Sequence, residues 1–549
     1  MTAVRLLPEW VTRRAETRPD DVAVVLRDET VTYGGLEERS NRIAGLLREA
    51  GCRYGDRVAM LVPKSPAALA AMLGVYKADA ILVPLDDASP AARLERILRS
   101  SEPRFLLAGG GTAERLGELR RTGALPAEAP VGWIGADDEI AGLEPAPEFT
   151  ATDVDRQPAT VPPMRASTDD PAHVFFTSGS TGDPKGVAVR HSSVVHFVEW
   201  GVRHFGIAPG ERLSGHSPLP FDLSTFDVFG AFAAGAELHL VPPELNLLPH
   251  RLLGFMRETE LTQWLSVPSV LAYIAGFDVL EKGDLPALRR LLWCGEAFPT
   301  PALIYWMERL PHVAFTNLYG PTETTVASSY YDVPECPHDE RQAVPIGRPC
   351  PGEGLSVLDR DLRPVAPGEA GELFIRGAGL SPGYWRDPRR TAAAFLPDPE
   401  PASGEPGGRV YRTGDLAWVD DDGLFYLLGR ADSQIKSRGY RIELGEVETA
   451  VAATGLTQEA VVTAIPTEGF EGWSLCCAFV PTAGRGAGPA ELRRELARRL
   501  PAYMMPARWL ASDHLPRNAN GKLDRKRVKE TFLDQGETAA PAARRAAGG

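Results

Sequence analysis

The sequence predicts an α/β protein: a large N-terminal domain of layered α/β subdomains with a small β-barrel-like unit, followed by a small α+β C-terminal domain. Three observations predict it. Short apolar runs alternate with amphipathic helical patterns as far as about Leu318, which implies parallel βαβ units. From Ala343 to Leu428 the text changes to short runs separated by Gly, Pro and Asp turns, the pattern of a small antiparallel or barrel-like unit. After Gly429 a second, shorter α/β pattern begins, so Arg430–Asp432 reads as the boundary, giving domains over 1–431 and 432–535 and a tail over 536–549. A chain of 549 residues has room for two or three domains.

The elements follow in order. Val22–Leu26 and Arg57–Val62 read as strands, and Glu37–Arg48 and Ser65–Lys77 as amphipathic helices with Ala and Leu at i, i+3 and i+4. Ile81–Leu85 is a short apolar strand stopped by Asp86 and Asp87. Between Gly109 and Asp170 the text is rich in Gly, Ala, Pro and Glu and reads as loop and irregular structure. Val174–Thr177 is a strand running into a glycine-rich loop. Leu355–Leu358, Gly371–Arg376 and Gly423–Leu428 are strands of the middle unit. Past the boundary, Glu446–Ala453 and Pro489–Leu500 read as helices, and Ala460–Ile465 and Leu475–Val480 as strands. The Ala/Gly/Pro/Arg tail from Gly536 has no apolar period and is expected to be disordered.

Composition excludes several classes. Lys and Arg total 59 against 73 Asp and Glu, a net charge of −14, which argues against tight nucleic-acid binding. No run reaches the ~18 apolar residues of a membrane helix. Met1–Pro19 is interrupted by Glu9, Arg13, Arg14 and Glu16 and lacks the apolar core of a signal peptide. Six cysteines, none in a CxxC or followed by histidines at zinc spacing, point to a reduced, cytoplasmic compartment.

The densest chemical signal is Thr177-Ser178-Gly179-Ser180-Thr181-Gly182-Asp183-Pro184-Lys185-Gly186, directly after an apolar strand. Glycines let backbone amides approach an anion, the hydroxyls donate further hydrogen bonds, and Lys185 adds a point charge. Pro184 before the lysine departs from a Walker A loop.

This stretch resembles the phosphate loop of the adenylate-forming superfamily, which includes acyl-CoA synthetases, firefly-type luciferases and the adenylation domains of nonribosomal peptide synthetases. The resemblance recurs in order along nearly the whole chain. Val31-Thr32-Tyr33 with Leu36, and Lys77–Asp86, are similar to its opening motifs. Asn317-Leu318-Tyr319-Gly320-Pro321-Thr322-Glu323-Thr324 resembles its adenine and magnesium motif, and Gly371-Glu372-Leu373 with Gly383-Tyr384-Trp385 the next. Tyr411-Arg412-Thr413-Gly414-Asp415 resembles its ribose motif, Gly429–Lys436 its hinge, Arg438–Glu443 the following loop, and Asn520-Gly521-Lys522 its C-terminal lysine motif.

The resemblance implies ATP and Mg²⁺ as cofactors and gives residues their roles. Tyr319 offers a face and Asn317 an amide to adenine; Asp415 accepts from the ribose hydroxyls; Thr322 and Arg430 contact phosphate or ribose; Glu323 holds Mg²⁺. Lys522, carried by a small mobile domain, stabilises charge as the carboxylate attacks the α-phosphate. Asp432 is the hinge, and Gly439 lets a loop approach a pantetheine arm. One departure is Leu427, two before Gly429, where the family often has an aromatic; no ribose stacking is expected there or at Tyr426.

Phe221-Asp222-Leu223-Ser224 resembles the amino-acid-activating branch, in which the Asp binds the substrate ammonium. By the same resemblance Leu223, Phe226, Ser266, Leu292, Cys294, Leu318, Val326 and Ala327 line the side-chain pocket. Apart from Ser266 and Cys294 that lining is apolar, and Leu223 and Phe226 are bulky, so a small or medium apolar amino acid is expected: proline-like, alanine-like or a β-amino acid. Only 27 residues follow Lys522, too few for a carrier domain. The expected enzyme is therefore a free-standing ligase that loads the phosphopantetheine thiol of a separate carrier protein in natural-product biosynthesis, with a small accessory activator protein as a further compatible partner. The alternatives are a ligase using free coenzyme A and a non-catalytic nucleotide-binding scaffold; intact Lys185, Glu323, Asp415 and Lys522 weigh against the latter.

Overall fold

The computed structural model describes the chain except residues 1–4, 126–128, 141, 142, 145, 161, 162, 180, 181, 400–407, 432, 433, 468–471, 483–487, 518–522 and 547–549. Local chemistry starts the elements where the apolar patterns begin. The Ser65 hydroxyl accepts from the Ala68 amide and Pro66 occupies the first turn, so the helix Pro66–Lys77 starts there. The Thr32 hydroxyl caps Tyr33–Glu49 in the same way through the Gly35 amide.

The chain forms two compact units. The first comprises Met1–Asp87, Ile97–Phe176 and Gly186–Ala431; the second comprises Ala88–Arg96, Thr177–Lys185 and Asp432–Gly549. The main division falls between Ala431 and Asp432, and two short segments of the N-terminal text group with the second unit.

The first unit is built on three sheets. In the nine-stranded sheet, Ala314–Tyr319, Arg290–Cys294, Gln263–Ser266, Arg212–Gly215, Glu237–Leu240 and Val22–Leu26 lie side by side and parallel. A six-stranded sheet contains Phe105–Ala108, Arg57–Leu61, Ile81–Pro84 and Pro171–Thr177 as parallel neighbours. Helices with apolar faces pack the sheets, as parallel βαβ connections require. The third sheet is antiparallel and five-stranded, including Glu353–Leu358, Gly371–Gly377, Arg409–Val419 and Phe425–Arg430.

One sequence expectation is corrected. The stretch between Gly109 and Asp170 contains the helices Ala113–Arg121 and Ala151–Arg156 and the strand Val131–Trp133, which pairs parallel to Phe105–Ala108. Leu116 and Leu119 are buried at i, i+3 and Trp133 is buried, so this is one more βαβ unit concealed by Gly- and Pro-rich connections. The last helix is Arg525–Ala546.

In the second unit the strand Trp473–Pro481 lies between Thr457–Pro466, antiparallel, and Arg508–Ala511, parallel. Successive Cys476 and Cys477 point to opposite faces and join different apolar clusters, one with Val528 and Phe532, the other with Val447 and Leu492. All six cysteines are free thiols.

The two opening motifs hold the core together. The Tyr33 hydroxyl donates to the Ala236 carbonyl at 2.7 Å. Lys77 is fully buried, and its ammonium donates to Glu37 at 2.6 Å, Asn41 at 2.7 Å and Ser40 at 2.8 Å. Burial pushes that ammonium down from its ordinary pKa while Glu37 pulls it back up. The helices carrying these groups touch closely: a Cβ on Gly74 would sit 2.7 Å from Ile43 Cγ2. Lys77→Met leaves the Glu37 carboxylate buried without its cation. We predict a loss of about 3–5 kcal/mol of stability, read by chemical denaturation, part of which returns in the Lys77→Met/Glu37→Gln double variant.

Candidate active site

The strand Ala314–Tyr319 lies at one end of the parallel run of the large sheet, and the backbone reverses immediately after it. Gly320 permits the reversal: a Cβ there would lie 2.7 Å from the Ala327 Cα and 2.8 Å from the Val326 carbonyl oxygen. The Ser328 amide donates to the Tyr319 carbonyl at 2.7 Å, and the Thr325 hydroxyl donates to the Gly379 carbonyl at 2.7 Å. Thr325 and Val326 have φ of 59° and 69°, a left-handed conformation that crowds their β-branched side chains.

This reversal gathers predicted residues of two kinds. Asn317 and Tyr319 share one face of the strand and Leu318 the other. The Asn317 amide donates to the Pro345 carbonyl at 2.9 Å. Tyr319 is buried, and its hydroxyl donates to Asp415 Oδ2 at 2.5 Å. Burial and the Asp415 charge push the Tyr319 phenol well above its ordinary pKa, so it stays a donor. Arg430, opposite Asp415 on the neighbouring antiparallel strand, donates to the other oxygen, Oδ1, at 2.7 Å. The Asp415 amide donates to the Thr413 hydroxyl at 2.9 Å. An ionised carboxylate has about four acceptor positions, so ribose hydroxyls can add to these two bonds.

Thr322 and Glu323 form the short 3₁₀ turn Thr322–Thr324 inside the reversal. Glu323 is fully buried, and the Tyr384 hydroxyl donates to its Oε1 at 2.8 Å. Tyr384 had no role in the sequence reading; the signal that marks it is its place in Gly383-Tyr384-Trp385. Among the described residues no cluster of three or more His, Cys, Asp and Glu side chains could cage a metal. A single oriented carboxylate fits Mg²⁺, which is commonly held by one or two carboxylates, waters and substrate phosphates.

Part of the predicted apolar lining lies at the same reversal. Cys294 lies opposite Leu318 on adjacent parallel strands, and its thiol approaches the Val326 carbonyl at 3.8 Å. Leu292 pairs with Leu265 beside Ser266, whose hydroxyl accepts from Trp264 Nε1 at 2.8 Å. Leu292, Cys294, Leu318, Val326, Ala327 and Ser266 are all buried. Asp222 and Leu223 immediately precede the helix Ser224–Ala234, and the Thr225 amide donates to the Asp222 carbonyl at 2.9 Å. Phe226 is fully buried, its ring against Gly201.

The phosphate-loop segment Thr177–Lys185 belongs to the second unit. A Cβ on Gly179 would meet the Asp183 carbonyl oxygen at 2.1 Å, and Gly182 has φ of 91°. The Ser178 hydroxyl donates to the Arg441 carbonyl within that unit. The Thr177 hydroxyl is buried without a hydrogen-bond partner among the described residues. Lys185 opens the strand Lys185–Arg190 and is half-buried. Gly439 and Arg438 form the two-residue tip of a hairpin, Ser437 pairing with Tyr440, both with positive φ as a type I′ turn requires. Ser180, Thr181, Asp432 and Lys522 lie outside the described residues. Leu427 is exposed, and Tyr426 stacks on Trp418 with centroids 4.5 Å apart.

Comparison with known proteins bears on this arrangement. The sequence matches the AMP-binding enzyme family over residues 11–385 and the AMP-binding enzyme C-terminal domain over residues 446–522. It is 35% identical over 529 residues to an L-proline–(L-prolyl-carrier protein) ligase of Pseudomonas fluorescens, covering 95% of this chain and 98% of that protein. It is also 35% identical over 524 residues to a dimodular nonribosomal peptide synthase of Bacillus subtilis, covering 95% of this chain but only 21% of that protein's length. Among solved structures, the Vibrio cholerae adenylation domain AlmE in complex with glycyl-adenosine-5'-phosphate matches with a TM-score of 0.82 at 25% identity, covering 97% of this chain and 99% of that one. IdnL1 matches with a TM-score of 0.75 at 32% identity, covering 93% and 98%.

Gly320→Ala tests the reversal. The added Cβ meets backbone atoms that cannot move without displacing Val326 and Ala327. We predict at least a hundredfold loss of turnover together with a lower melting temperature, measured by pyrophosphate exchange and differential scanning fluorimetry.

Proposed function

The chain belongs to the AMP-binding enzyme family, and we propose that it is an amino acid–carrier-protein ligase for a small or medium apolar amino acid. In the first half-reaction the substrate carboxylate attacks the α-phosphorus of ATP, the bond to the bridging oxygen of the β-phosphate breaks, and pyrophosphate leaves. In the second, a phosphopantetheine thiol of a carrier protein loses its proton and attacks the aminoacyl carbonyl, and AMP leaves. Asp415 and Tyr319 would receive the nucleoside, the Thr177–Lys185 loop and Thr322 the phosphates, and Glu323 the Mg²⁺ ion that neutralises phosphate charge. Lys522 is proposed as the cation between carboxylate and α-phosphate, Asp432 as the hinge, and the Arg438-Gly439 tip as the part that meets the pantetheine arm.

The observation that carries this reading is Asp222, a carboxylate at the entry of a helix whose next residues, Leu223 and Phe226, are buried and apolar. An ammonium taken out of water needs such a partner. Supporting an apolar side chain, the two polar groups of the lining are engaged with the protein: Ser266 with Trp264 and the Val267 carbonyl, Cys294 with the Val326 carbonyl. A charged substrate side chain would be desolvated there. The similarity along 98% of a proline–carrier-protein ligase supports both the substrate class and a carrier protein as acceptor.

Pyrophosphate exchange across a panel of α- and β-amino acids and amine-free acids tests the proposal. We expect exchange with proline, alanine or a small β-amino acid, and a loss of at least a hundredfold in kcat/KM for Asp222→Ala with that acid. Exchange only with fatty or aryl acids overturns it. Transfer of label from the adenylate to free coenzyme A but to no holo-carrier protein would move the acceptor to coenzyme A.

A further inference from the structure

Two charged side chains of the first unit, Lys64 and Asp227, converge on the loop that leads to Asp222. The loop connects the strand Arg212–Gly215 to the helix Ser224–Ala234. Its first residues are buried, His216 at 7% and Ser217 at 5% exposure, so their backbone groups need partners. The Lys64 ammonium donates to the Gly215 carbonyl and, at 2.7 Å, to the His216 carbonyl. The next peptide is held with the opposite polarity: the Ser217 amide donates to Asp227 Oδ2 at 3.1 Å.

The origins of the two groups give the contacts their consequence. Asp227 lies one turn into the helix that Asp222 leads into, so its bond to Ser217 closes the loop onto its own helix. Lys64 follows the strand Arg57–Leu61 of the six-stranded sheet, so it fastens that loop to the other parallel sheet. The far end of the loop is fixed by Phe226 against Gly201. The segment Pro218–Leu223 is thus held at both ends, with Asp222 within it. Burial pushes the Lys64 ammonium down and the Asp227 carboxyl up, while the charge of each opposes the shift of the other.

We propose that Lys64 and Asp227 are positioning residues for the acid substrate: together they set where the Pro218–Leu223 segment, and Asp222 on it, stands in the substrate site. The proposal rests on the reading of that segment as part of the acid site. Neither residue is assigned contact with substrate or nucleotide.

The test uses the full-length enzyme with Lys64→Met, Lys64→Arg and Asp227→Asn, measured by pyrophosphate exchange at saturating and limiting acid and ATP, with melting temperatures alongside. Lys64→Met and Asp227→Asn are expected to raise the KM for the acid at least tenfold while the KM for ATP stays within twofold. Lys64→Arg, which keeps the cation, is expected to recover the KM to within threefold of wild type. An acid KM within twofold of wild type in Asp227→Asn overturns the proposal, as does an equal rise for acid and ATP, which marks a general loss of structure. Where Lys64→Met does not fold, the Asp227→Asn result decides alone. The wild-type panel separates this from the reading of Asp222. If only amine-free acids are exchanged, the ammonium role of Asp222 fails, and the KM shifts are judged with the acid that is exchanged.

Discussion

The backbone reversal after Tyr319 is the constraint on which the rest of the site depends. One strand delivers Asn317 and Tyr319 to one face and Leu318 to the other, and the chain then folds back so that Val326 and Ala327 return to its end. Gly320 makes the approach sterically possible, and Thr325 and Val326 accept left-handed backbone to complete it. Such conformations cost about 1–2 kcal/mol per residue, and they persist here because hydrogen bonds to Tyr319 and Gly379 over-determine the turn. The gain is proximity: Asn317 and Tyr319, proposed for the nucleotide, and Leu318, Val326 and Ala327, proposed for the acid, are separated by a few residues of one turn, which suits a reaction that joins the two.

Carboxylates around that turn are positioned by protein donors. Asp415 has one oxygen on Tyr319 and the other on Arg430, and Glu323 is held by Tyr384. These bonds fix orientation before any ligand arrives, so binding does not have to order the groups. Buried polar groups elsewhere do a different job. Lys77 donates to Glu37, Ser40 and Asn41 and so ties two helices together. The same chemistry, a buried charge with converging partners, recurs at both places.

Much of this was legible in the sequence, for identifiable reasons. Gly320 and Gly179 stand where backbone approaches backbone, and short-range sequence dictates such turns. The strand and helix periods of Val22–Leu26, Pro66–Lys77 and Glu353–Leu358 are local properties as well. What was not legible depends on tertiary partners. The helix Ala113–Arg121 and strand Val131–Trp133 are short and lie among Gly and Pro, and only burial against neighbouring elements marks them as a βαβ unit. The motifs around Tyr33 and Lys77 stood out in the text without revealing that they serve the core. The partnership of Tyr384 with Glu323 spans 61 residues, and that of Lys64 with His216 spans 152; no local pattern encodes either.

Side-chain size in the proposed acid pocket also reads differently once packing is known. By sequence, Phe226 is the largest residue of the lining and argues for a restricted cavity. In the fold its ring occupies the notch left by Gly201 on the helix His191–Phe205, where a Cβ would lie 2.5 Å from the ring, and it packs against Phe197 with centroids 5.3 Å apart. Much of the ring's bulk is therefore taken up in helix packing. The groups nearest the reversal, Cys294, Val326 and Ala327, are small, and two of them sit on the turn that Gly320 controls. If these residues line the acid pocket as proposed, its size depends on backbone geometry at Gly320–Ala327 more than on the bulk of Phe226. Substitutions on that turn should change acid preference more than substitutions of Phe226, whose main effect would fall on the packing of two helices.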